Sequence, residues 1–257
     1  MSHRDDALAF ALAVYETAAE HDVKYPAAAF AYYGFVALLP LLVLAVALLN
    51  RTALARTEGA LPQLLAPQAR RLIYESLAVA SGRTGATIFA VGVFLWCGAN
   101  MAAAFRSVVE RVEGGRVDAA SVGRVRVAAG VFASLCLAVL SAGFTEGILA
   151  DWIADPVGAL LGPLVLLVLL TVSFLPLYVV SSGLVTAPRA ALPGAFTAAF
   201  GWSSLVTIVQ VYAANAGQYA LYGVLSGIIL IFTSLYVAAG VLLLGVVVNA
   251  TAVDWQG

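Results

Sequence analysis

The sequence predicts an all-α membrane protein, a polytopic bundle of six transmembrane helices with amphipathic helices at the membrane surface. Mean hydropathy is +0.99 and only 11% of the 257 residues are charged, whereas a soluble domain carries roughly a quarter. The stretch from Pro193 to Ala250 contains no Lys, Arg, Asp, Glu or His. Its two apolar segments are each long enough to cross a hydrocarbon core of about 30 Å. Because backbone polar groups must be satisfied internally in lipid, we expect a helical hairpin there.

The same pattern along the chain predicts a single membrane domain over residues 1–257. The six predicted spans are residues 27–49, 84–105, 127–149, 157–180, 195–214 and 224–250. Pro40 lies in the middle of the first span, where it removes a backbone hydrogen bond and is expected to kink the helix. Residues 5–22 and 61–82 are amphipathic and too charged to span, which predicts helices at the membrane surface. The first of these could equally pack on the bundle.

The charged residues and the cysteines indicate the expected partners and the location of the protein. A net charge of −1 offers no basic surface for nucleic acid, so membrane lipids are the expected partners. Six spans place both termini on one side, and that side would hold eight of the 13 basic residues. The positive-inside rule therefore favours cytoplasmic termini and a cytoplasmic-membrane location. Cys97 and Cys136 fall within apolar spans and are interpreted as small core residues rather than as a disulfide or metal pair.

Three polar residues near span ends are candidates for function. Glu146 is the one acid placed within the membrane zone, where charge is costly and often functional. It also lies close to the predicted end of its span, so an acid exposed at the interface is the favoured interpretation. Asn100 and Asn249 could line a polar substrate pathway, but hydrogen bonds between helices explain both without any substrate.

Small residues recur along the fifth and sixth spans. Ala195, Ala199, Ser203 and Thr207 repeat every four residues and so share one helix face. Such a stripe lets another helix approach closely, within the chain, in a homo-oligomer or in a partner protein. Gly227 continues the small-residue pattern at the start of the sixth span. Helix packing is favoured here over a ligand groove.

Aromatic residues mark the predicted membrane edges. Tyr32 lies near the beginning of the first span, and Tyr222 precedes Gly223 at the end of the turn between the fifth and sixth spans. Tyrosines at these positions are typical interface anchors, and binding of a lipid headgroup is the alternative interpretation.

Several stretches together resemble the YihY/BrkB family of inner-membrane proteins. In the last two spans these are Gly194 with the apolar run after it, VYAANAGQYALYG and LYVAAGVLLLGVVVNA. The first span, AAAFAYYGFVALLPLLV, and the second, FLWCGANMAAAFRSVVERV, are similar to the corresponding family segments. Tyr222-Gly223 and the pair of Tyr32 and Pro40 are the most specific parts of a resemblance that covers roughly residues 10–250.

The resemblance implies six spans and a poorly defined function. The family has carried an older ribonuclease label and has been linked to virulence and, by conjecture, to transport. Val247 stands where relatives usually carry a glutamate near the end of the sixth span, and Ala37 and Ser234 also depart from the family pattern. If that glutamate serves ion coupling in relatives, this chain lacks it or uses another acid.

Known enzyme motifs are missing from the sequence, which predicts no catalytic, metal or cofactor site. His3 and His21 both lie in the N-terminal segment, and no glycine-rich phosphate loop with lysine follows a strand. We therefore expect a protein that is not an enzyme. Transport or lipid handling across the cytoplasmic membrane is the leading hypothesis, since interrupted spans often mark substrate sites. A non-catalytic scaffold for envelope assembly is the alternative, and the old ribonuclease label is the weakest.

Overall fold

The computed structural model describes residues 3–48, 83–114, 121–147, 156–185, 187–214 and 223–256. Over these residues the chain forms seven α-helices and no strand. The helices are α1 (His3–Glu20), α2 (Lys24–Leu48), α3 (Arg83–Val112), α4 (Ser121–Gly147), α5 (Pro156–Ser181), α6 (Pro188–Ala214) and α7 (Gly223–Gln256). The amphipathic segment predicted at 61–82 and Tyr222 lie outside the described residues.

Six of these helices, α2 to α7, are long and apolar enough to cross a membrane. The prediction of an all-α polytopic bundle is therefore confirmed. Several helices extend beyond the predicted spans: α3 continues to Val112, α6 begins at Pro188 and α7 continues to Gln256. The predicted boundaries followed hydropathy, whereas helical hydrogen bonding continues past the point at which polar side chains leave the hydrocarbon.

The spans pack as a ring in chain order. Each of α2 to α6 contacts the next helix, and α7 closes the ring by packing against α2 as well as α6. α3 also contacts α7 across the ring. Helices that follow one another in the chain are therefore neighbours in the bundle, an arrangement common in helix bundles.

The buried core lies toward one end of the bundle, which we call the base. It is the end at which α3 and α5 finish, α6 begins and the chain terminates, and contacts between distant residues join these points. Fully buried side chains concentrate here, with Phe105 on α3, Phe174 on α5 and Leu242 on α7 all at 0% exposure. Toward the opposite end, large side chains such as Phe89 and Ile208 are exposed among the described residues. Such side chains face hydrocarbon in a membrane protein.

The N-terminal helix packs on the base. Phe10 meets Trp255 of α7 edge to face, with ring centroids 5.9 Å apart, and Val14 is buried. Arg111 of α3 donates from Nη1 to the His21 carbonyl oxygen at 3.1 Å and so holds the turn after α1. Leu8 and Leu12, on another face of α1, are exposed, so one apolar face of the helix docks on the bundle while the second stays free to meet the membrane surface. α1 carries two apolar stripes, and the sequence pattern does not distinguish which of them docks.

Candidate functional site

A cavity of about 440 Å³ lies within the ring of spans. Its wall comes from α2, α3, α4, α6 and α7. Small residues leave the space: Ala31, Gly34 and Ala37 recur every three residues on one face of α2, and Gly98 of α3 also lines the cavity. The volume falls within the range of about 300–1,000 Å³ that is typical of small-molecule sites.

The wall of the central cavity is apolar. No lining residue carries a formal charge. The Trp202 indole is the main polar group, and its Nε1 donates to the Ala238 carbonyl oxygen at 2.9 Å. Its ring also packs edge to face on Phe174, with centroids 5.3 Å apart. The indole nitrogen therefore has its partner within the protein, and the cavity presents carbon atoms together with the Cys136 thiol.

On the α2 and α4 sides of the cavity, several of the lining side chains are also exposed on the outer surface of the bundle. Leu41 of α2 and Phe132, Val139 and Leu140 of α4 line the cavity and are each more than 40% exposed over the described residues. Cys136 of α4 is exposed as well. Since exposed surface on these spans faces hydrocarbon, the cavity borders the membrane interior at α2 and at α4 over the described residues.

A second group of residues, which we call the base cluster, lies where α3, α5 and α7 meet. Its members are Glu113, Tyr178, Ser181, Ser182 and Asn249, which line one small pocket together with apolar neighbours. The cluster is therefore a polar patch at the most tightly packed part of the bundle.

Glu113 anchors the connection between α5 and α6. It follows the last residue of α3, and Gly114 after it has a φ of +63°, a left-handed conformation that suits glycine and ends a helix. The carboxylate is 4% exposed. It accepts hydrogen bonds from the Ser182 hydroxyl and from the Gly183 N–H, the latter at 2.7 Å. The Ser182 oxygen in turn accepts hydrogen bonds from the N–H groups of Leu184 and Val185.

Asn249 and Tyr178 join the helices on the other side of the cluster. The Asn249 Oδ1 accepts a hydrogen bond from the Gly194 N–H at 2.7 Å. The Tyr178 hydroxyl donates to the Leu242 carbonyl oxygen at 2.8 Å. Both bonds cross between helices, and hydrogen bonds of this kind help to hold membrane helices together. α7 is thereby tied to α6 and to α5 at the base.

The backbones of α6 and α7 come very close at this level. A methyl group added to Gly194 would lie 2.1 Å from the Gly245 carbonyl oxygen, and one added to Gly245 would lie 2.2 Å from the Tyr178 hydroxyl. A methyl group on Gly201 would meet Val241 at 2.2 Å. Glycine is therefore required at the crossing for steric reasons.

The polar candidates from the sequence are scattered over the structure. Asn249 lies in the base cluster. Asn100 turns back onto its own helix, with Nδ2 donating to the Trp96 carbonyl oxygen at 2.8 Å. Glu146 lies in the last turn of α4. Tyr32 is 51% exposed and contacts Tyr33 edge to face. Pro40 is buried inside α2, which continues through it.

The small-residue stripe lies largely inside the chain. Ala195 and Ala199 are 0% exposed and Ser203 is 7% exposed, whereas Thr207 is exposed and bonds the Ser203 carbonyl oxygen of its own helix. Gly227 is half-buried in α7. Gly223 is the first residue of that helix.

Sequence reasoning missed Glu113 and Tyr178. In the sequence Glu113 is one charge among several in a charged connection, and only Gly114 after it, the residue typical of a helix end, stands out. Nothing in the sequence neighbourhood of Tyr178 shows that its hydroxyl reaches α7. The central cavity was missed as well, because its small residues come from separate spans.

Comparison with known proteins gives one match. The family model described as Virulence factor BrkB matches residues 14–256, nearly the whole chain. No curated protein matches the chain, and no solved structure does.

Proposed function

The chain belongs to the Virulence factor BrkB family and is a multi-pass membrane protein, and from that premise we propose that it handles membrane lipids. In this proposal a lipid acyl chain enters the central cavity sideways, past the exposed lining side chains of α2 or of α4. The protein is not an enzyme in this scheme, because it binds and moves a lipid without changing its covalent structure.

The apolar wall of the cavity carries this proposal. A site for a charged or strongly polar solute needs partners for each buried polar group, because an unpaired one costs several kcal/mol in an apolar environment. The lining residues offer carbon surface, and the Trp202 nitrogen already bonds Ala238. Hydrocarbon is therefore the chemistry that the cavity accepts at least cost.

The scaffold alternative loses its main support. It relied on the stripe of Ala195, Ala199 and Ser203 as a surface for a partner helix, but these side chains are buried within the bundle. A partner could reach them only if α6 separated from its neighbours. Self-association through other faces of the spans is compatible with lipid handling.

We further propose that the base faces the cytoplasm. Lys24, Arg111, Arg126 and Arg189 all lie near the base end of their helices. Arg111, Arg126 and Arg189 are exposed, and positive charge is concentrated in cytoplasmic connections of membrane proteins.

Filling the cavity tests lipid handling directly. Gly98→Leu places a side chain in the cavity, and its first carbon would lie 3.8 Å from Phe132, an ordinary contact. Gly92→Leu is the matched control, since it makes the same change on the same helix where nothing lies within 4 Å. Purified protein would be reconstituted into liposomes, and crosslinking of a photoactivatable phospholipid and transbilayer movement of a fluorescent one would be measured. We expect Gly98→Leu to reduce both while Gly92→Leu does not. Equal behaviour of the two variants would refute acyl-chain binding in this cavity.

The native cysteines provide a second readout. Cys136 lines the cavity and is exposed, whereas Cys97 is 0% exposed. A membrane-soluble maleimide should therefore alkylate Cys136 and leave Cys97 unmodified. Added phospholipid should slow the reaction in detergent micelles, with Cys136→Ala as the blank. If phospholipid did not change the rate at which Cys136 is alkylated, the result would argue against an acyl chain beside Cys136.

A further inference from the structure

The pocket of the base cluster contains a space of about 10 Å³. It is lined by apolar side chains, including Phe105, Val109 and Val246, and by the polar members of the cluster. A space of this size is about the minimum that a single water molecule requires, and it is far too small for a lipid headgroup. Whether a water molecule occupies it depends on the hydrogen-bonding groups that line it.

Asn249 lines this pocket and carries a buried hydrogen-bond donor. Its Oδ1 accepts from the Gly194 N–H, which fixes the orientation of the amide because an N–H requires an acceptor. Nδ2 is then the remaining polar end, and it is buried with no partner in the described part of the chain. The residue is only 3% exposed. An amide NH₂ left without an acceptor in such a place costs about 1–3 kcal/mol.

Ser181 contributes a second polar atom without a partner. Its Oγ is buried and makes no hydrogen bond to any described residue, and the residue is 2% exposed. A serine on a helix commonly bonds the carbonyl oxygen one turn earlier, as Ser173 does in the same helix. The Ser181 hydroxyl is not used in this way, so it remains free to donate and to accept.

Glu113 completes the wall with an acceptor. Each carboxylate oxygen has room for about two hydrogen bonds. One receives the Ser182 hydroxyl and the other the Gly183 N–H, so each can accept once more. The pocket therefore brings together one amide donor, one hydroxyl and one carboxylate.

We propose that this pocket holds one ordered water molecule. The water accepts a hydrogen bond from Asn249 Nδ2 and joins it to the Ser181 hydroxyl and the Glu113 carboxylate. Two to four polar partners are what a buried water requires. A metal cation fits less well because the Asn249 NH₂ group carries positive partial charge toward the same space. The water would connect the end of α3 with α5 and α7.

Whether Ser181→Ala lowers or raises the thermal midpoint tests whether the pocket holds water. If the pocket is dry, Ser181→Ala removes an unsatisfied hydroxyl, and the protein should be unchanged or more stable. If water is present, the substitution removes one of its partners, and the thermal midpoint should fall. Ser134→Ala is the matched control, since Ser134 Oγ is also buried without a partner among the described residues but lies outside this pocket. Both variants would be compared with the wild type by thermal unfolding in detergent micelles.

We expect Ser181→Ala to lower the midpoint by a few degrees and Ser134→Ala to leave it unchanged or raise it. A midpoint for Ser181→Ala at or above the wild-type value would overturn the proposal. The thermal midpoints would also be measured in sodium, potassium and choline chloride. If sodium or potassium raised the wild-type midpoint more than choline did, and Ser181→Ala lost this difference, the pocket would hold a cation instead of water. A high-resolution experimental structure should show a single density peak within hydrogen-bond distance of Ser181 Oγ and Asn249 Nδ2, and an empty pocket would contradict the assignment.

Discussion

Replacing Gly194 with alanine tests whether the contact between α6 and α7 holds the base together. The added methyl carbon would lie 2.1 Å from the Gly245 carbonyl oxygen and 2.5 Å from Asn249 Nδ2. A comfortable contact between such atoms needs more than 3 Å. Because a backbone carbonyl cannot rotate away, the two helices must separate by about 1 Å.

The cost follows from what that separation disturbs. Overpacking of this kind costs about 1–3 kcal/mol. Displacement also weakens the hydrogen bond from the Gly194 N–H to Asn249 Oδ1, for about 1 kcal/mol more. Alanine recovers about 1 kcal/mol through its higher helix propensity. We therefore expect Gly194→Ala to lower the free energy of unfolding by about 1–3 kcal/mol.

The assay is equilibrium unfolding in mixed detergent micelles, with Gly92→Ala as the matched control. Gly92 has nothing within 4 Å of its added methyl position, so its variant should be as stable as the wild type or slightly more stable. If Gly194→Ala behaved like Gly92→Ala, within about 0.5 kcal/mol, which is the scale of an ordinary surface substitution, the close approach of α6 and α7 would be refuted.

Three further predictions concern single contacts, all measurable on purified protein. Glu113→Gln should lower the free energy of unfolding by about 1–3 kcal/mol, because an NH₂ group replaces an oxygen that accepts a buried hydrogen bond. Glu16→Gln, which changes an exposed acid of α1 in the same way, should cost at most about 0.5 kcal/mol; equal losses would contradict the anchoring role. Trp202→Phe should cost about 1 kcal/mol by removing the donor to the α7 backbone, and an unchanged unfolding curve would exclude that bond. Phe10→Ala should speed hydrogen exchange in α1 by loosening its aromatic contact with α7, whereas the exposed Leu12→Ala should not; equal exchange would show that α1 docks elsewhere.

Hydropathy predicts the spans well because length and apolar character are local properties of the sequence. A helix must be about 20 apolar residues long to cross the membrane, and six such segments are visible without knowledge of their partners. The order of packing around the ring is different, since it depends on which faces meet. The four-residue stripe on α6 located its buried face, yet the closest approach to α7 uses Gly194 and Gly201, which are seven residues apart on the same helix.

The functional features needed tertiary information. Asn249 could be selected from the sequence because a polar side chain near the end of a span requires a partner. Its partner, the Gly194 N–H, is 55 residues away, and no local pattern specifies it. Glu113 belongs to a charged connection by composition, and only the fold places it over the turn between α5 and α6. The cavity has no sequence signal because Gly34, Gly98 and Trp202 lie on three separate helices.

The two ends of the bundle are stabilised by different forces. Within lipid, burying apolar side chains between helices gains little, because the surrounding hydrocarbon is as apolar as the protein interior. Helices that must stay together therefore need close backbone contact or hydrogen bonds, and the base has both, at Gly194 and through Tyr178 and Asn249. The cavity wall has mostly apolar contacts, which lipid can replace at small cost. Under the proposed lipid-handling function, the region around the cavity would therefore be the part that gives way to an acyl chain entering from the side, while the base holds.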